Sequence, residues 1–226
     1  MDVGEIHVSE QEFFVNFDQT SLPRGGLNHD DVCELDALAE KQRKEGIKIA
    51  DVGCWTGTSS CVLGNVASKY KGKCYSIDWF KGSEKTNLEW AGQFYNIKEI
   101  FKANINRFGF KDHVELIEAT SEDASSRFDN DFFDLIFLDA DHRYQYIKND
   151  IKRWLPKLKP GGILCGHDCE VVIEKGINSL LDKYKDSDII QVIHLGVCVA
   201  VGELGGKKVT SPSSSVWFYN KPLYNV

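Results

Sequence analysis

The sequence has no surplus of positive charge, no apolar run of membrane length and no regular cysteine framework, and each shortage removes a class of protein. Lys and Arg number 27 against 34 Asp and Glu, a net charge of −7. That balance argues against affinity built on neutralising phosphates, so nucleic acid is not an expected partner. The longest apolar stretch, Ile189 to Val201, is broken by Gln191 and His194 and falls short of the roughly 20 residues of a bilayer span. No membrane helix is expected. The opening residues, MDVGEIHVSEQEFF, lack the basic start and apolar centre of a secretion signal. The seven cysteines are odd in number and irregularly spaced, which suits reduced thiols in a cytoplasm better than a disulfide scaffold. Repeats and low-complexity tracts are absent, and SPSSS at 211–215 is short enough to be a turn.

What remains is a chain of 226 residues, 42% apolar, long enough to bury roughly 70–75% of its unfolded surface around a two-sided core. Residues 1–27 carry Phe13, Phe14 and Phe17 and then the breakers Pro23, Gly25 and Gly26, and read as a lid or packing segment. Residues 28–226 read as a single domain. Apolar spacing predicts a helix from Asn28 to Glu45, and IKIADVG reads as a buried strand before a helix at Thr58–Tyr70. The unit recurs: strand KCYSIDWF, one long helix Asn87–Phe108, strand His113–Glu118, short helix Ser121–Phe128, strand Phe133–Asp139, helix Arg143–Leu155, strand Ile163–Gly166 and helix Glu174–Tyr184. Two last apolar runs, Ile189–His194 and Val197–Val201, are joined by so few residues that as strands they would be antiparallel. The expected fold class is α/β: a mostly parallel sheet, helices on both faces, closed by an antiparallel C-terminal hairpin.

In such sheets ligands bind beyond the carboxyl ends of the strands, and here those positions are rich in acids and glycines. The first strand is followed by Asp51-Val-Gly53-Cys-Trp55-Thr-Gly57-Thr-Ser59, where glycines let backbone approach a ligand and the next helix offers free N–H groups. Trp55 and Thr58 break the G-x-G-x-x-G spacing of dinucleotide sites. Asp78, 21 residues beyond Gly57, suits the gripping of ribose hydroxyls. Trp79 is open to stacking on a base or to packing; Ser121 and Glu122 are open to an adenine edge, or else Thr120 or Ser121 caps the next helix with the acids in its first turn. The densest cluster is Asp139-Ala-Asp141-His142-Arg143, whose like charges imply a cation or substrate. At the next strand end stands Cys165-Gly-His167-Asp168-Cys169-Glu170. Asp139, His167 and Asp168 could offer ligands to a divalent ion, or His167 and Asp168 could pair and cap. A zinc set from the two cysteines and one histidine is incomplete.

Taken together, DVGCWTGTSS, YSIDWF, EATSEDA and FDLIFLDADHRYQYIKNDIKRWLPKLKPGGILCGHDC resemble the class I S-adenosylmethionine-dependent methyltransferases over roughly residues 30–202. Within that class the run from Asp134 to Asp168 is similar to the macrocin-type, antibiotic-sugar O-methyltransferases and the cephalosporin hydroxylase-like subgroup. The resemblance implies a Rossmann-like seven-stranded sheet whose last strand is antiparallel. It also implies that Asp51, Gly53, Trp55, Gly57 and Ser59 surround the methionine part of S-adenosylmethionine, Asp78 the ribose, and Trp79, Ser121 and Glu122 the adenine, with Asp139 at the end of the same crevice. In metal-dependent members the positions of Asp139, His167 and Asp168 hold Mg²⁺, and that of Asp141 is the general base. His167 departs from the acid usual there, which opens the site to a softer metal or to none, and His142 is the rival base.

The expected function is therefore methyl transfer to a hydroxyl of a small metabolite such as a sugar, with proton removal by Asp141 or His142 and alignment of oxygen, methyl and sulfur. Phe80–Trp90 and the N-terminal phenylalanines are expected to cover the substrate. Two other readings stand beside it: a protein of this fold that binds S-adenosylmethionine without turnover, and a nicotinamide-linked oxidoreductase. The expected partners are a small molecule, no nucleic acid and no membrane, in the cytoplasm, with homo-oligomerisation left open.

Overall fold

A strand buried on both faces is apolar at nearly every position, and in Phe133–Leu138 (FDLIFL) each residue is buried, the one charge, Asp134, being paired with Lys44 and Lys159. It lies near the middle of the sheet in a computed structural model that describes residues 26–84, 87–174, 178–184 and 186–223. The strands are β1 (Lys48–Val52), β2 (Lys73–Asp78), β3 (Val114–Glu118), β4 (Phe133–Leu138), β5 (Leu158–Gly166), β6 (Lys207–Lys208) and β7 (Trp217–Asn220). They form one seven-stranded sheet in the order β3-β2-β1-β4-β5-β7-β6. The pairings among β1 to β5 are parallel, whereas β7 runs antiparallel to both β5 and β6.

Period-2 alternation assigns neighbouring residues to opposite layers. Leu135 and Phe137 join Ile49, Leu63, Val66 and Phe101 on one side; Ile136 and Leu138 join Trp154, Leu164, Val197 and Trp217 on the other. Trp154 and Trp217 are fully buried, and truncating either to Ala would remove on the order of 3–5 kcal/mol. The first layer is covered by α1 (His29–Lys41), α2 (Thr58–Lys69) and α4 (Ile97–Arg107), the second by α6 (Tyr144–Trp154) and α8 (Leu195–Leu204), with α3 (Asn87–Phe94), α5 (Ser121–Ser125) and α7 (Asn178–Tyr184) nearer the rim. Asn28 caps α1 through a reciprocal pair with Asp31, as its residue type suggests. Among the described residues no helix is long and apolar enough to cross a membrane.

Two expectations need correction. The long helix over Asn87–Phe108 is two helices, because the Asn96 side chain accepts from the Glu99 N–H and starts α4 anew. The antiparallel hairpin exists but is β6–β7, not Ile189–His194 with Val197–Val201. Ile190 and Ile193 form only an isolated bridge, and Val197–Val201 lies inside α8. The V-C-V-A-V alternation imitates a strand, and a short apolar run buried all round fits either element. Gly196 and Gly202 favour the helix. Their missing Cβ atoms let α8 press onto backbone, where a Cβ would stand 2.3 Å from the His142 carbonyl oxygen and 2.1 Å from that of Ile173. The expected lid at residues 1–27 falls almost wholly outside the described residues.

Candidate functional site

The parallel order changes direction at β1 and β4, and the loops leaving these strands diverge to open a crevice. A cavity of about 370 Å³ sits there, lined by Gly53, Trp55, Asp78, Trp79, Ser121, Glu122, Asp139 and Asp141 among others. Eight residues singled out in four separate sequence segments thus meet in one hollow. Gly53 makes the meeting possible, since at φ 93° a Cβ would lie 2.0 Å from the Asp139 carbonyl oxygen.

Asp78 organises the cavity's inner wall. Its Oδ2 accepts from the Trp55 N–H at 2.8 Å and its Oδ1 from the Phe80 N–H at 2.7 Å, which leaves lone pairs for a ligand diol. Burial pushes its carboxyl up, against the pull of those backbone donors. Trp55 and Phe80 both hold positive φ, 42° and 58°, a strained geometry that clusters at binding sites. Trp79, 37% exposed, lines the cavity together with Gly82, Ser83, Glu84 and Leu88, so part of the Phe80–Trp90 segment borders it.

Asp51, Gly57 and Ser59 lie beneath the loop and do not line the cavity. Ser59 and Ser60 donate to Asp51 Oδ2 at 2.9 and 2.5 Å, while Asp51 Oδ1 is buried without a partner. Burial drives the Asp51 carboxyl up to about 7, the two serines only partly offsetting it. Gly57 opens α2 at φ 95°, packed against Phe101. At the opposite end, Ser121 donates to Asp150 at 2.5 Å and accepts from the Trp154 indole. Thr120, rather than Ser121, caps α5. Glu122 is paired with Arg153.

The acid and histidine cluster adjoins the cavity through Asp139. Asp141 faces the cavity and is clamped by Arg143, whose Nε and Nη2 donate to its two oxygens at 2.9 and 2.6 Å. His142 Nδ1 meets Asp188 at 2.9 Å, and its Nε2 meets Asp168 at 3.1 Å and Asp139 at 3.4 Å. His167 is 5% exposed. Its Nε2 lies 2.9 Å from Asp31 and its Nδ1 3.1 Å from Asp168, yet neither nitrogen is aligned for a hydrogen bond. Burial opposes charge on both rings, but the surrounding carboxylates prevail, raising His142 well above its ordinary value and His167 to about 11. Asp168 is held well below the usual carboxylate range by the same contacts, against its own burial.

Asp139, His167 and Asp168 bring one donor atom each within 4.8 Å of the others, and the unaligned His167 nitrogens suit a ligand set that a cation would complete. The residues fit a divalent metal. Glu170, in the segment after β5 that the sequence singles out, joins this cluster, whereas sequence reasoning missed its members Asp31, Asp188 and His194, because they arrive from α1 and from loops far along the chain. The Cys165 and Cys169 thiols are buried and unionised, and the cysteines take no part in the set.

Strand order, crevice and loops define the Rossmann-like fold of the methyltransferases. A family model described as a methyltransferase domain matches residues 50–169, from β1 to just past β5, and the chain belongs to that family. This assignment stands against the nicotinamide reading. Similar solved structures include cofactor-bound Rv0187 from MTB (TM-score 0.59, 16% identity, covering 92% of this chain and 87% of that one). A protein from Staphylococcus aureus assigned as a caffeoyl-CoA O-methyltransferase gives TM-score 0.58 at 14% identity, covering 91% and 87%. The O-methyltransferase NovP gives 0.57 at 13% identity, covering 84% and 79%. A curated relative, the uncharacterized protein y4gI of Sinorhizobium fredii, is 26% identical over 99 residues, 44% of this chain. The chain spans about a tenth of that relative's length.

Proposed function

We propose that this protein transfers a methyl group from S-adenosylmethionine to a hydroxyl oxygen of a small polar metabolite, a sugar being one such acceptor. The observation that carries this reading is the convergence of Gly53, Asp78, Ser121 and Asp139 on one cavity at the end of a methyltransferase-family sheet. S-adenosylmethionine supplies the electrophilic methyl group. Asp78 would hold the ribose, and Trp79, Ser121 and Glu122 the adenine. Gly53 and Trp55 would face the methionine part, with Asp51 and Ser59 supporting their loop from below. The buried, unpartnered Asp51 Oδ1 fits a positively charged ligand nearby.

Of the two candidate bases, Asp141 has the better position. It lines the cavity, and Arg143 fixes its direction, as an orienting group does in base catalysis. His142 has carboxylates at both ring nitrogens and is not among the residues that line the cavity. A divalent ion at Asp139, His167 and Asp168, Mg²⁺ or a softer ion, would lower the pKa of the acceptor hydroxyl. The seven cysteines, none of them in a disulfide, and the acidic balance support a cytoplasmic enzyme acting on a small molecule, as a monomer or a homo-oligomer. Incubation with isotope-labelled S-adenosylmethionine and pooled hydroxylated metabolites tests this: labelled ether products are expected. Cofactor binding without product from any pool would favour the non-catalytic reading, which the departure at His167 motivates.

A further inference from the structure

Three of the chain's six histidines surround one carboxylate. His142, His167 and His194 approach Asp168 at 3.1, 3.1 and 3.4 Å. Asp168 is held there at φ 61°, in the left-handed region that residues with a side chain seldom adopt. His142 and His167 also carry an acid on the ring nitrogen turned away from Asp168, Asp188 at 2.9 Å and Asp31 at 2.9 Å, whereas His194 meets Glu170 at 2.8 Å through the same Nδ1 that approaches Asp168, leaving its Nε2 for an ion. An imidazole backed by a carboxylate is the usual arrangement of a histidine that binds metal, because the outer acid fixes the tautomer and raises basicity.

The donors form two sets of three, Asp139-His167-Asp168 and His142-Asp168-His194, and Asp168 belongs to both. The second set is two imidazoles and one carboxylate. Charge points the same way. The cluster gathers five carboxylates, Asp31, Asp139, Asp168, Glu170 and Asp188, against three imidazoles. Even with all three rings protonated a double negative charge remains in a largely buried space, where it is costly without a cation. His167 keeps its contacts to Asp31 and Asp168 at 2.9 and 3.1 Å with neither ring nitrogen aligned for a hydrogen bond.

We propose that His142, Asp168 and His194 form a metal position of their own, bridged through Asp168 to the Asp139-His167-Asp168 set and taking a divalent transition ion such as Fe²⁺, Co²⁺ or Zn²⁺. Imidazole donors select such ions over Mg²⁺, which prefers oxygen ligands and retained water. The inference rests on the donor geometry and stands whether or not the protein transfers methyl groups.

The test uses the full chain, stripped with chelator and equilibrated with Co²⁺ in excess Mg²⁺, with bound metal counted by elemental analysis and imidazole ligation read from the visible Co²⁺ spectrum. Wild type is expected to retain an equivalent that His194→Ala loses and Asp139→Asn keeps. Glu170→Gln, which preserves shape should His194→Ala fail to fold, is expected to weaken that equivalent by about 10–100-fold. Folded wild type that retains no Co²⁺, or a His194→Ala protein with unchanged loading, would overturn the proposal. So would loss of one and the same equivalent in both His194→Ala and His167→Ala, since a single ion would then serve both sets. S-adenosylmethionine binding to the same samples reports separately on the methyl-transfer reading.

Discussion

Gly53 and Asp139 touch across the ends of β1 and β4 so closely that one hydrogen atom is all the side chain the contact admits. A Cβ on Gly53 would lie 2.0 Å from the Asp139 carbonyl oxygen and 2.7 Å from the Ala140 nitrogen, and Asp139 N–H is tied to the Val52 carbonyl at 2.8 Å. The contact joins the cavity wall to the acid and histidine cluster.

Gly53→Ala is therefore expected to lose at least about 2 kcal/mol of stability, from the clash and from the positive φ. Cofactor affinity should fall at least tenfold. Urea unfolding and calorimetry measure the two effects. Wild-type stability in the variant would show that the loops are not locked together.

Asp51 ties stability to pH. Its folded carboxyl, raised by burial to about 7, binds its proton more tightly than in the unfolded chain, where the value is about 3.9. Its favourable contribution is thus full below the unfolded value and is lost as pH rises to the folded one. Asp51→Asn, which keeps acceptor capacity for Ser59 and Ser60, should flatten the decline between about pH 4 and pH 7, a difference on the order of a few kcal/mol. A cationic ligand favours the ionised form, so S-adenosylmethionine should bind more tightly at pH 8 than at pH 6, with proton release that the variant lacks.

Asp141 and His142 separate by readout. Asp141→Asn should lower kcat by about 10²–10⁴-fold with bound metal unchanged. His142→Gln should lower metal content first, and activity only as metal is lost. Equal loss of kcat in both at full metal loading would contradict the assignment of Asp141 as base.

Most of this arrangement was legible in the chain because it is written locally. Strands buried on both faces give continuous apolar runs, and the residues just beyond them, Gly53, Asp78, Ser121 and Asp139, stand where an open parallel sheet places its ligands. Two kinds of feature were not legible. Val197–Val201 alternates like a strand but is helical, because Gly196 and Gly202 permit close backbone packing that no local pattern reports. Asp31, Asp188 and His194 reach the cluster from segments distant in sequence, joined only by the packing of α1, α8 and the loops around them. The clamp of Arg143 on Asp141 was likewise hidden, since adjacency in sequence does not say which charges pair.

The most direct test is calorimetric titration of S-adenosylmethionine into wild type and Asp78→Ala. Asp78 spans two backbone donors, and hydrogen bonds to a charged group are worth about 1.5–3 kcal/mol each, so wild type should bind at one site and the variant at least tenfold more weakly. Absence of binding to folded wild type, or equal affinity in the two proteins, would contradict the account.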